Sequence, residues 1–251
     1  MIITIIGLSS LAVGVLIGIS GIAGFLLPIT FGGFLGLPLA DSLALAFLAF
    51  LTSGILGAWS YKKEGHLDMQ LALPLCAGSV LGALGGVWLN TLIPVDIAKV
   101  LLYTVVLASG ISILVKKDRQ GPGKDRSPLT ASKPFLLLMG AVTAAICSLT
   151  GAGGPILVVP LLALLGVDLR AAVGISLLDS VAIALPACVG YMGQVQGKNF
   201  LLLAAVCVVT HAVGVLVGAK VAGKVNLKLL KWMVAALAIG ASCYMLLKMV
   251  L

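Results

Sequence analysis

The sequence predicts an all-α integral membrane protein made of two inverted repeats, each a broken re-entrant helical hairpin plus about three transmembrane helices. Three observations carry that prediction. Apolar stretches long enough to cross a bilayer recur along the whole chain, the two halves match each other at a nearly constant offset, and the first stretch of each half is interrupted by glycine and proline.

Composition sets the solvent. Of 251 residues, 61% are apolar and 10% charged, and the mean hydropathy is +1.23, values that a water-soluble domain of this size does not sustain. The net charge of +8 sits between apolar stretches rather than along one face with interleaved aromatics, so topology explains it better than a nucleic-acid partner does. The N-terminal Met-Ile-Ile-Thr-Ile-Ile lacks the basic region of a secretory signal and is expected to be retained. Cys76, Cys147, Cys188, Cys207 and Cys243 stand singly in apolar sequence, without metal-ligand spacing, and read as small buried hydrophobes. No metal and no cofactor is expected, and no enzymatic activity.

The apolar segments run over residues 2–36, 38–60, 69–91, 96–115, 134–165, 171–191, 199–219 and 230–250. The one long polar interval, Lys116 to Lys133, divides the chain into a first repeat at 1–115, a linker at 116–133 and a second repeat at 134–251. Gly21, Gly24 and Tyr61 align with Gly151, Gly154 and Tyr191 at an offset of 130. Gly82, Gly86 and Lys99 align with Gly214, Gly218 and Lys231 at 132. One small loop insertion explains the drift.

Residues 134–165 would make a straight helix of about 48 Å, which overshoots a hydrocarbon core of about 30 Å. In their middle, Ser148-Leu149-Thr150-Gly151-Ala152-Gly153-Gly154-Pro155 interrupts the helical ladder. The flanking pieces are expected to be roughly 14 and 11 residues, each reaching about halfway across. The first half carries a counterpart at Gly18-Ile19-Ser20-Gly21-Ile22-Ala23-Gly24, followed by Pro28.

Basic residues decide whether the broken segments cross or turn back. If all eight segments cross, the sixteen lysines and arginines divide ten inside to six outside. If both broken segments are re-entrant and the N-terminus is outside, thirteen are cytoplasmic and only Lys99, Lys198 and Lys248 are external. The second arrangement is preferred, with the N-terminus outside and the linker cytoplasmic. Three crossings plus a hairpin is an odd count, so the second repeat is inverted relative to the first, a plan that recurs in secondary transporters.

Irregular backbone at membrane depth is tolerated only where it is buried in protein or lines a cavity. The helix that follows a break presents N–H groups without partners and a positive dipole end, an anion site made without a basic residue. Gly21, Gly24, Gly151, Gly153 and Gly154 let backbone approach a ligand, and Ser20 and Thr150 offer hydroxyls. The alternative is that these glycines serve close helix packing. Asp179 lies inside the apolar run Val173 to Ala187, where an unpaired carboxylate is costly. A carboxyl that gains and loses a proton there would couple transport to the proton gradient, while the alternative is a structural Asp facing Ser176 or Ser180. His211 lies inside another apolar segment and is a second proton-handling candidate, or a neutral histidine bonding across helices. His66, in a loop with Lys62, Lys63, Glu64 and Asp68, reads as solvated. The expected partners are a small anion, protons and lipid, and no nucleic acid.

These features resemble the TauE/SafE family of sulfite-exporter-like proteins. The resemblance rests on the duplication, Thr150-Gly151-Ala152-Gly153-Gly154-Pro155 with Pro160 beyond, and Ala171-Ala172-Val173-Gly174-Ile175-Ser176. Gly21-Ile22-Ala23-Gly24 with Pro28 and Gly65-His66-Leu67-Asp68 also fit. It implies inner-membrane transport of sulfite, sulfoacetate or related organosulfur and organic anions, and adds Ser176 to the anion-binding set. The first half departs from the pattern: Ala46 stands where the repeat places Ser176, and Phe25 follows Gly24. Two other classes compete. One is an anion channel. The other is a rhomboid-like intramembrane serine protease, suggested by Gly18-Ile19-Ser20-Gly21 and His211-Ala212-Val213-Gly214.

Overall fold

In a computed structural model of the chain, the structure describes residues 2–115, 127–221 and 227–250. Ten helices are found among them. They are α1 (Ile2–Ser20), α2 (Ala23–Phe34), α3 (Leu39–Lys63), α4 (Met69–Leu92), α5 (Val95–Val115), α6 (Lys133–Thr150), α7 (Gly154–Leu164), α8 (Leu169–Met192), α9 (Phe200–Val221) and α10 (Leu227–Val250). Seven of them, α1, α3, α4, α5, α6, α8 and α9, are long and apolar enough to cross a membrane. The segment 116–126 of the linker and Lys224 lie outside the described residues.

The two interruptions fall where glycine and proline place them. Helix α6 ends at Gly151, whose φ of 78° is left-handed, and α1 ends at Gly21 with φ 75°, a conformation that suits glycine. One length differs from expectation. Helix α6 has 18 residues rather than about 14, because Thr150 extends the helix to the glycine, so it rises about 27 Å. Of the two pieces flanking the second break, α7, at 11 residues, is the half-length one, at about 16 Å. Helix α2 is irregular: a 3₁₀ turn at Ala23–Phe25 leads through Leu26–Pro28 into a π-helical stretch, Ile29–Phe34. The Leu35 N–H bonds to the Thr30 carbonyl five residues back, the wide turn that defines that stretch.

Contacts along the helices give their directions. Ser10, Gly14 and Gly18 of α1 meet Cys207, Gly214 and Gly218 of α9 in rising order, so α1 and α9 are parallel. Helix α3 runs with them, since Asp41 accepts from the N–H groups of Gln196 and Gly197 while the Leu45 carbonyl meets the Cys207 thiol. A second parallel set is α4, α6 and α8. Gly78, Gly82 and Gly86 of α4 meet Leu137, Ala141 and Ala145 of α6, and Val87 meets Gly190 of α8. The two sets oppose each other, because Phe47 stacks on Tyr191 while Gly54 and Gly57 meet Leu177 and Tyr61 meets Gly174. Helices α1 and α3 are therefore parallel although consecutive, with α2 between them. The same holds for α6, α7 and α8.

Small residues make these approaches possible. A β-carbon on Gly14, Gly18, Gly214 or Gly218 would strike the backbone of the facing helix, as it would on Gly78, Gly82, Gly86 or Gly140. Without a hydrophobic force between helices in lipid, such close van der Waals packing is what holds them. The outer surface is apolar, with Leu81, Leu138, Val189, Leu201 and Val209 exposed, as a lipid-facing surface should be. Trp59, Trp88 and Trp232 are exposed near helix ends, where aromatic belts sit, and the Lys63 ammonium lies 3.8 Å from the Trp59 ring centre. Two cysteines depart from the buried reading: Cys243 is exposed and Cys76 half-buried, whereas Cys147, Cys188 and Cys207 are buried. His66 is half-buried rather than fully solvated.

Candidate functional site

The two breaks are built alike. The Ser20 hydroxyl donates to the Leu16 carbonyl at 2.7 Å and accepts from the Ile22 N–H at 3.3 Å. Thr150 donates to Ile146 at 2.7 Å and accepts from Ala152 at 3.3 Å. The N–H groups of Gly21 and Gly151 each return 2.7 Å to the carbonyls of Ile17 and Cys147. Every residue here stands 130 positions from its counterpart. The hydroxyls of Ser20 and Thr150 are thus spent on their own helix ends in this conformation, not held free for a ligand.

The breaks also meet. One cavity, with about 260 Å³ of empty space including its mouth, is lined by Gly21, Ile22 and Gly24 from the first and by Ala152, Gly153, Pro155 and Ile156 from the second. Phe50 and Ser53 of α3 and Leu177 and Ser180 of α8 complete it. Phe50 lies 11 residues into the 25-residue α3, and Ser180 11 into the 24-residue α8, so the cavity sits near the middle of both helices. The Phe50 ring is wedged between the breaks, since a β-carbon on Gly24 would lie 2.6 Å from it and one on Gly153 3.3 Å.

Donors and acceptors at the second break are treated differently. The last carbonyls of α6 are capped: Tyr191 Oη donates to Ser148 and Asn90 Nδ2 to Leu149, each at 2.7 Å. The Gly153 carbonyl receives the Cys147 thiol at 3.3 Å and the Ile156 carbonyl the Ser109 hydroxyl at 2.8 Å. At the start of α7 there is no side-chain cap, and the N–H groups of Gly154 and Ile156 lie in a first turn that has no intrahelical acceptor. Acceptors are satisfied while donors are left over, which gives this end of α7 an affinity for negative charge.

Asp179 is fully buried beside that end. A β-carbon added to Gly154 would stand 3.5 Å from its Oδ2 and 3.1 Å from the Ser180 hydroxyl. Neither carboxyl oxygen has a hydrogen-bond partner. Ser176 and Ser180 do not cap it, because their hydroxyls donate to the carbonyls of Val173 and Ser176. Asp179 instead faces the Cys76 thiol and the Ser79 hydroxyl of α4, which are near enough to hydrogen-bond its carboxyl after a small shift, although no bond is formed in this conformation. Ser176 is buried, and neither it nor Asp179 lines the cavity.

His211 is placed elsewhere, at the α1–α9 contact. Its Nδ1 is 3.0 Å from the Ser10 carbonyl; since a carbonyl only accepts, Nδ1 carries the proton and Nε2 is left without a partner. It forms no pair with Ser20, whose hydroxyl is bonded to Leu16, so the serine–histidine dyad of the protease reading is not assembled.

Several residues at the site escaped the sequence reading, among them the two that line the cavity from α3 and the acid at the start of that helix. Phe50, Ser53 and Asp41 carry no local signature; Asp41, buried at the start of α3, clamps the 193–199 loop through N–H bonds of 3.0 Å from Gln196 and Gly197. Only the offset of 130, which pairs Phe50 with Ser180, pointed toward the cavity wall.

The family described as Sulfite exporter TauE/SafE matches residues 6–245. Among curated proteins, a probable membrane transporter protein of Bacillus subtilis strain 168, YdhB, is 26% identical over 187 residues, covering 73% of this chain and 75% of the relative. No solved structure gives a significant match.

Proposed function

Because the chain belongs to the sulfite exporter TauE/SafE family of membrane transporters, we propose that it carries a small anion by proton-coupled secondary transport, with the site at the meeting of its two helix breaks. The substrate class is sulfite, sulfoacetate or a related organosulfur or organic anion. The observation that carries the reading is the convergence of Gly21, Gly24, Gly153 and Pro155, distant in sequence, on one cavity beside the uncapped start of α7. Gly151, in the turn that ends α6, and Gly154 set its backbone, while Ser20 and Thr150 hold the helix ends that frame it. The cavity centre is about the size of one water molecule, so an anion is admitted only when the walls part. That favours a carrier over an open channel.

The repeats are inverted in this reading. Support comes from the antiparallel course of α3 with α8, counterparts at the 130 offset, and of α5 with α10, where Gly110 meets Ala238 while Tyr103 and Met245 both reach Gly33. Helices α1 and α3 start on one face and α4, α6 and α8 on the other, which agrees with the thirteen-to-three division of basic residues. The N-terminus and the 193–199 loop are external, the 64–68 loop and the linker cytoplasmic, and the membrane is the inner one.

Asp179 carries the coupled proton. In liposomes, wild type accumulates labelled anion against its gradient when a pH difference is imposed; Asp179→Asn exchanges anion across a symmetric membrane but does not accumulate it. Unimpaired pH-driven accumulation in the variant would take the coupling away from Asp179 and move it to His211.

A further inference from the structure

The start of α7 has two claimants for its positive end, the transported anion and a carboxyl the chain supplies itself. Asp179 Oδ2 stands 3.5 Å from the β-carbon position of Gly154, the first residue of α7, and both its oxygens are buried with no hydrogen bond formed in this conformation, the neutral Ser79 hydroxyl and Cys76 thiol being the side-chain donors within reach. The groups facing it supply no compensating charge: Cys76 and Ser79 from α4 and the Cys147 thiol from α6, with Gly154 from α7 and Ser180 from its own helix. The nearest positive potential is therefore the N–H groups and dipole of α7. From these positions we infer that ionised Asp179 is a tethered competitor of the substrate, so that the anion binds only to the form in which Asp179 holds its proton.

The coupling follows from exclusion. Asp179 lies behind the cavity wall rather than in it, but two negative charges set on either side of one helix terminus in a water-poor interior repel strongly, and the terminus offers only about half a positive charge to share between them. Binding the anion draws a proton onto Asp179, and binding the proton frees α7 for the anion; the linkage is reciprocal. One proton then travels with each anion, with no conformational signal needed to pair them. The inference rests on the proposed anion site at the breaks and adds the order and stoichiometry of its occupancy.

The test uses purified full-length protein in nanodiscs with methanesulfonate and thiosulfate, whose charge does not change between about pH 5 and about pH 9, well above strong-acid titration. Wild-type affinity should fall roughly tenfold per pH unit above the titration of Asp179, as one linked proton requires, and binding in weak buffer should take up about one proton per anion. Asp179→Asn should bind at every pH with the affinity wild type reaches in acid, and Asp179→Glu should restore a pH slope. Wild-type binding that is measurable but flat with pH, without proton uptake, overturns the exclusion while leaving the anion site in place. Failure of wild type to bind either probe at any pH overturns the site and the exclusion together. Should Asp179→Asn not fold, proton uptake by wild type decides alone.

Discussion

At the scale of single residues, glycine at the breaks has two separate duties. Gly21 and Gly151 turn the chain through left-handed backbone, and a β-carbon there would strike Val173 or Leu43. Gly151→Ala should cost about 1–2 kcal/mol from backbone conformation alone, read as a lower midpoint of thermal unfolding in detergent. Gly153 is also left-handed, at φ 83°, so a branched residue there would strain the turn as well as fill the cavity. Gly154 is the cleaner probe, because it lies in ordinary helix and its β-carbon would touch Ser180 and Ile183 at 3.1 Å. Gly154→Ala should weaken anion binding tenfold or more, about 1.4 kcal/mol, with little loss of stability. Unchanged affinity would mean that the α7 start does not touch the ligand. Asp41→Ala should release the 193–199 loop, each bond from a backbone N–H to the carboxylate being worth about 1.5–3 kcal/mol, and speed proteolysis within it. The glycine and hydroxyl pattern of the breaks was readable in sequence because it is local. Asp41, Asn90 and Tyr191 were not, since each bonds to a group between 43 and 156 positions away.

At the scale of helices, the parallel pairs α1–α9 and α4–α6 depend on glycines that face backbone, while others in the same helices face lipid. Gly82 and Gly85 of α4 make the comparison. A β-carbon on Gly82 strikes the Ala141 carbonyl, and one on Gly85 meets nothing within 4 Å. Gly82→Ala should destabilise by about 1–3 kcal/mol through overpacking, whereas Gly85→Ala should stabilise by up to about 1 kcal/mol through helix propensity. Equal effects in a thermal-unfolding comparison would contradict this packing. Helix existence was legible from apolar length throughout. The expected end of α6 was too early because Thr150 is a poor helix former by composition yet caps its own helix through Ile146. The π-helical part of α2 left no mark in sequence beyond Pro28 and the Gly32-Gly33 pair.

At the scale of the whole molecule, the alternation of directions among α1, α3, α9 and α4, α6, α8 fixes which loops share a face. Single cysteines at Gly65 and Lys133 in a cysteine-free background should be protected from an impermeant thiol reagent added outside intact cells, and one at Asn199 should react. Labelling of Gly65→Cys from outside would reverse the orientation. The likeness of the two breaks was legible from glycine spacing, and the charge count remains the ground on which turning back is proposed over crossing. The pairing of each repeat's first helix with a late helix of the other was not, because the glycines that allow it look the same whichever helix they face.

The central claim is that an anion sits where the two breaks meet, on the leftover donors of α7. Selenite, the selenium analogue of sulfite, makes this directly visible through the anomalous scattering of selenium in crystals of the loaded protein. A single strong peak is expected within hydrogen-bonding distance, about 3 Å, of the Gly154 and Ile156 N–H groups, with Phe50 displaced from between Gly24 and Gly153. A peak beside His211, or only among the lysines at the helix ends, with the cavity between the breaks empty, would contradict the proposed site.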